Sequence, residues 1–223
     1  MGCVAMDFNF IGTILPALLR GTQITLLIAV CSSLMGLVFG TLLAILHTSN
    51  RWFLSLPVTV YVTIVRGTPM LIQIPFFYYL LPTIGIHLPL ITTAIIAIGL
   101  NSSAYISQTV RAGIRSVPSG QREAARVLGL TSWQTMRYIV LPQALAVIVP
   151  ALVSEFITLI KDSSLASTIG VVELFKEGTI IISRTYNALP VYAAIAAIYL
   201  VLTMSLTAFS HYVERKMRRH VSH

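Results

Sequence analysis

Two sets of polar side chains stand where the surrounding sequence is almost wholly apolar. In the run from Leu90 to Val110, Asn101, Tyr105 and Gln108 follow one another at i, i+4 and i+7, which puts all three on one face of a helix. Further on, Glu155, Lys161 and Asp162 end an apolar run that begins at Tyr138. Together they offer amides, a phenol, a cation and two carboxylates, groups suited to lining a cavity for a small polar solute. Two plainer arrangements use the same residues. Lys161 and Asp162 could neutralise one another, and Asn101 and Gln108 could bond between helices. A third set, Glu123-Ala124-Ala125, lies in a charged stretch between the two apolar runs. Covalent chemistry lacks its residues: the chain has no G-x-x-x-x-G-K-[ST] phosphate loop, no G-x-S-x-G elbow and no H-E-x-x-H zinc helix. The five histidines lack metal-ligand spacing, and Cys3 and Cys31 are the only cysteines. Neither a disulfide framework nor a thiolate zinc site can be built, and no cofactor is expected.

Hydropathy sets the elements that must position these groups. Of the 223 residues 10% are charged and 56% hydrophobic, where a soluble domain carries ~25% charge. With a mean hydropathy of +0.85, that balance excludes a disordered chain and makes the bilayer the natural solvent. The run Gly21 to Asn50 holds no charge and exceeds the ~20 residues that span a hydrocarbon core. Gly67 to Val110 is long enough for two spans, Pro69 to Leu81 and Leu90 to Val110, turning at Pro82, Gly85 and Pro89. Tyr138 to Ile160 and Thr185 to Val213 supply two more. The piece from Trp52 to Val65, flanked by Arg51 and Arg66, is short for a crossing and reads as interfacial or re-entrant. The expectation is an all-α membrane protein, a single domain over residues 1–223, with about five transmembrane helices. An N-out/C-in orientation puts eleven of the fifteen basic residues inside, so the net charge of +8 reflects topology and no nucleic-acid partner is expected. Ser32, Gly36 and Gly40 form a small-residue stripe on the first span, expected to pack within the subunit. Glu173, Lys176, Glu177 and Arg184 fall in an outer segment, as a solvated loop or a docking surface.

Between the third and fourth spans, Pro118 and Ser119 are helix-start signals, with Ser119 as the expected N-cap, and Gly129 is a stop signal. A second start follows at Thr131-Ser132. Glu123-Ala124-Ala125, Gly129 six positions after Glu123, and Ile139-Val140-Leu141-Pro142 match at every defined position the EAA signature that marks permease subunits of bacterial ABC importers. Arg66-Gly67-Thr68-Pro69 resembles the RGTP element of the polar amino-acid permeases, Lys161-Asp162-Ser163-Ser164-Leu165 their KD(S/T)SL element, and Asn101-Ser102-Ser103-Ala104-Tyr105-Ile106 the NSxAYI stretch of glutamine-type members. Locally, Thr68 and Pro69 also read as an N-cap and first helical residue. One departure is Gln108, where relatives commonly carry Glu.

The resemblance implies a type I, MetI-like permease fold in a bacterial inner membrane and a transport role rather than an enzymatic one. Residues 116–131 would form a cytoplasmic coupling-helix loop whose Glu123, Ala124, Ala125 and Gly129 engage a separate ATP-binding ATPase subunit. A second permease copy or paralogue, a periplasmic solute-binding protein and a polar amino-acid substrate complete the implied partners. Asn101, Ser102, Tyr105, Gln108, Glu155, Lys161 and Asp162 are then the candidate substrate contacts. The alternative from another class, an ion-coupled secondary carrier for a small polar solute, calls for an internal repeat with paired broken helices, and no repeat is visible among the five spans.

Overall fold

Each long apolar run becomes a helix, because backbone in lipid must satisfy its own hydrogen bonds. A computed structural model describes residues 8–48 and 51–221; Cys3 and the Asn50 end of the first uncharged run lie outside them. In order come α1 (Phe8–Thr48), α2 (Trp52–Gly67), α3 (Met70–Thr83), α4 (Leu90–Arg115) and the short α5 (Ser119–Val127). Then follow α6 (Ser132–Gln134), a π-helical segment Thr135–Val140, α7 (Leu141–Asp162), a 3-10 segment Ser163–Ile169, α8 (Leu174–Thr185) and α9 (Ala188–Val221). Four stretches are long and apolar enough to cross a membrane: Phe10–Thr48, Leu90–Arg115, Ser132–Ile169 and Ala188–Tyr212.

The fifth crossing differs from expectation. α3 has 14 residues, ~21 Å of helix, too short for a ~30 Å hydrocarbon core by itself. It is the second half of a pair with α2, bent by 111°, so Trp52–Val65 and α3 together make a broken span or a re-entrant element. Pro69 explains the break, since it lacks an N–H and drives the preceding residue out of the helical region; Thr68 sits at φ −114°, ψ 141°. Thr68 is not the N-cap of α3. That position falls to Pro69, while the Thr68 hydroxyl donates back to the Ile64 carbonyl of α2 at 3.0 Å. A second proline explains the π-helical segment. Pro142 can neither donate an N–H nor tolerate the carbonyl four residues earlier, and the wider i→i+5 turn just ahead, with Leu141 N–H bonded to the Met136 carbonyl, absorbs both faults.

α1 and α4 form the spine. The stripe on α1 packs inside the subunit: the Ser32 hydroxyl donates to the Ile95 carbonyl at 3.2 Å, and a Cβ on Gly40 would lie 2.8 Å from Ile106 Cβ and from the Ser103 carbonyl oxygen. Gly99 of α4 faces the Met35 side chain in return, and Gly21 lies under the backbone of Leu174. Around this spine Ile28, Ile74, Ala94, Ile98, Leu159 and Ile160 make the main buried cluster, joining α1, α3, α4 and α7. Leu34, Val38, Ile45, Ile72 and Val201 stay exposed, which suits a surface whose solvent is lipid.

Of the charged outer segment, Arg184 is exposed, whereas Glu173 belongs to neither a solvated loop nor a docking surface. Glu173 is fully buried and N-caps α8, its carboxylate accepting from the Phe175 and Lys176 backbone N–H groups at 2.9 and 2.8 Å and from Tyr199 of α9 at 3.2 Å. In the loop between α4 and α7, α5 starts one residue earlier than expected, with Pro118 and not Ser119 in the capping position. Its end is a Schellman motif: Gly129, at φ +77°, donates to Arg126, and Leu130 donates to Ala125. Thr131 opens α6 as expected, in a capping box completed by Gln134.

Candidate functional site

The break between α2 and α3 leaves carbonyls without helical partners, and one amide gathers them. Gln73 Nε2 donates to Val65 O at 2.8 Å and lies 2.6 Å from Thr68 Oγ1 and 3.1 Å from Thr68 O. Its own oxygen accepts from Asn101 Nδ2 of α4 at 2.9 Å. The bent pair is thereby pinned to the middle of α4, and a cavity of about 430 Å³ opens at the bend. Its walls are Arg66 to Met70 of the break, Asn101 and Tyr105 of α4, and Glu155, Thr158 and Asp162 of α7.

Four of the expected substrate contacts meet here: Asn101, Tyr105, Glu155 and Asp162. Asn101 bonds between helices and lines the cavity at once. Ser102 is fully buried behind the wall against Gly36, with its hydroxyl 3.5 Å from Glu155 Oε1, so it bears on the carboxylate and not on the cavity. Gln108 is two turns beyond Asn101, ~10 Å along α4, and lines a separate cavity with His47 and Arg111. Lys161 is exposed and outside the cavity. The cause is geometric, because consecutive helical residues point ~100° apart and Lys161 and Asp162 cannot both face inward. No ion pair within 4.0 Å joins them.

The cation of this cavity is Arg66, which the sequence marks as a flanking charge and as the first residue of the Arg66-Gly67-Thr68-Pro69 element but not as a substrate contact. Its guanidinium lies over the Tyr105 ring, 5.2 Å from the centroid, a cation–π arrangement that fixes its direction. No ion pair within 4.0 Å links Arg66 to Glu155 or Asp162. Opposite charges are thus held apart across one small space, with neutral donors and acceptors between them. Residues that could hold a metal ion are absent: no group of three or more His, Cys, Asp or Glu side chains converges among the described residues.

Charged groups around a polar cavity, set where a membrane helix is broken and packed into an otherwise lipid-facing bundle, define a transport protein. The chain belongs to the family of binding-protein-dependent transport system inner membrane components, whose model matches residues 36–219. Across its length it is 36% identical to the glutamine transport system permease protein GlnP of Escherichia coli (strain K12), over 95% of this chain and 98% of that one. It is 37% identical to the arginine transport system permease protein ArtQ of Bacillus subtilis (strain 168), over 96% and 99%. The L-cystine transport system permease protein TcyB of the same organism shares 38% identity, over 93% and 89%. Among solved structures, "Crystal structure of an amino acid ABC transporter with histidines" aligns with a TM-score of 0.90 at 37% identity, covering 94% of this chain and 98% of that one. An inward-facing form of the MetNI methionine ABC transporter shares the fold, with a TM-score of 0.77 at 23% identity. The fold is that of the MetI-like ABC importer permeases, and the chain is a transport subunit of the inner membrane rather than an enzyme. An ion-coupled carrier is set aside by this membership.

Proposed function

We propose that the chain carries a polar amino acid, of the glutamine class, through the cavity at the α2/α3 break. The single observation behind this is the separation of Arg66 from Glu155 and Asp162 around about 430 Å³. A zwitterion supplies the counter-charge to both sides at once, its carboxylate toward Arg66 and its ammonium toward the acids, while Asn101 and Thr158 serve the neutral remainder. The names of the relatives, which cite glutamine, arginine and cystine, support the substrate class.

The partners follow from α5. Glu123 and Ala124 are exposed, and beside them Val127 and Leu128 are 88% and 79% exposed, an apolar tip on an otherwise charged helix that suits docking on an ATP-binding ATPase subunit. Gly129 shapes this tip, whereas Ala125 is buried against the permease itself. ATP hydrolysis on that subunit drives the transport cycle, a second permease copy or paralogue completes the pore, and a periplasmic solute-binding protein delivers substrate from the N-terminal side. In this arrangement the N-terminus is outside and the coupling loop, residues 116–131, is cytoplasmic.

The test is uptake of radiolabelled glutamine into liposomes that hold the permease with its ATPase, supplied with the binding protein. Asp162→Asn and Glu155→Gln should each weaken apparent affinity by about tenfold or more, the loss of one charged hydrogen bond of ~1.5–3 kcal/mol. Unchanged uptake in both variants would remove the cavity from the substrate's path.

A further inference from the structure

Arg66 and Gly67 also border a second cavity, of about 440 Å³, whose remaining walls include His47, Thr59, Gln108 and Arg111. It lies along α4 toward the end that carries α5, since Arg111 is ten residues past Asn101, ~15 Å of helical rise. Its chemistry differs from the first. Two arginines face it, and no carboxylate of the described residues lines it. Arg111 Nη1 is 2.9 Å from His47 Nε2, and because an arginine N–H can only donate, the imidazole spends that lone pair on Arg111. Arg111 Nε is buried with no hydrogen-bond partner among the described residues. Gln108 adds an amide that can donate.

We infer that this cavity is a second carboxylate site, contiguous with the first through Arg66, which takes the carboxylate of the amino acid as it leaves toward the α5 side. The inference rests on the reading that the chain carries an amino acid. Guanidinium forks fit a carboxylate with two parallel hydrogen bonds, and a buried Nε–H and a neutral amide extend the same donor set. The first cavity holds both ends of a zwitterion. The second holds one end only, having nothing acidic for the ammonium, so affinity falls along the route, as release requires.

The probe is N-acetylglycine, which has a carboxylate and no ammonium, loaded into the ATPase-side compartment of proteoliposomes that take up glutamine. N-acetylglycinamide, which lacks the carboxylate, and sodium chloride are the comparison solutes at matched osmolarity. N-acetylglycine should half-inhibit uptake at a concentration about tenfold or more below that of either comparison solute, the ratio a bidentate charged hydrogen bond supplies. Gln108→Glu, which sets a fixed carboxylate against the arginines, and Arg111→Gln, which removes one, should each raise that concentration by about tenfold. Lys161→Gln, at a position outside both cavities, should leave it where it is. Equal inhibition by chloride would overturn the assignment in favour of a general anion site. Inhibition that survives both Gln108→Glu and Arg111→Gln, or no inhibition in vesicles that transport normally, would overturn the second site and leave the transport reading standing. Vesicles that move no amino acid under any condition would instead overturn the reading beneath it.

Discussion

Arg66 and Lys161 are both cations beside an acidic wall, and only one of them is aimed. Arg66 is directed by the Tyr105 ring and by the break that places it at a cavity, whereas Lys161 turns outward one residue before Asp162. Arg66→Lys should therefore weaken apparent glutamine affinity by about tenfold, because an ammonium loses the planar fork and the ring stacking together. Lys161→Gln should change it by less than about twofold, within the range of an exposed charge. Uptake titrated against substrate, in parallel for both variants, checks the pair. Asn101, Tyr105, Glu155 and Asp162 were legible in the sequence because polar groups at membrane depth are costly enough to require a reason. Arg66 was legible as the head of the Arg66-Gly67-Thr68-Pro69 element, but its place in the cavity was not, since a charge ending an apolar stretch reads as a membrane boundary. Its signal was the Thr68-Pro69 step. Gln73 left a fainter one, a lone amide in the run from Pro69 to Leu81.

At the scale of elements, α5 shows how far a matched motif reaches. Its limits were legible from Pro118 and Gly129, and its stop is the left-handed glycine that such a signal implies. Which side faces outward was not. Neighbouring positions on a helix diverge by ~100°, so of Ala124 and Ala125 one is exposed and the other is 2% exposed. A bulky residue at 125 would disturb the permease's own packing, and the informative substitution is at the tip. Leu128→Arg should reduce substrate-stimulated ATP hydrolysis by the assembled transporter about tenfold or more, as expected when a charge replaces an apolar anchor in a docking surface. Detergent-solubilised permease should keep its melting temperature. Full stimulation by the Leu128→Arg complex would free α5 of the coupling role. The two halves of the α2/α3 element were legible from the short Trp52–Val65 piece and the Thr68-Pro69 start, but the 111° bend was not, since hydropathy records how long a segment is and not whether it is straight.

For the molecule as a whole, orientation is the property that side-chain packing inside one chain does not decide. The basic residues favour the N-terminus outside, and two exposed positions make that testable. With native cysteines removed, a cysteine at Ser119 should be protected from an impermeant thiol reagent added to intact cells with permeabilised outer membranes, and one at Ser183 should react. The reverse pattern would invert the topology. The close packing of α1 against α4 and α8 leads to a consequence for how such a chain can drift in sequence. At Gly21 and Gly40 an added methyl would meet backbone atoms, which cannot step aside, whereas at Gly99 it would meet the Met35 thioether, the most pliable side chain a protein has. In a saturation library selected for growth on the transported amino acid, alanine should persist at 99, with compensating changes gathering at Met35, and vanish from 21 and 40. The tolerance of each site to inheritance is then set less by its distance from the cavity than by whether its neighbour is main chain or side chain.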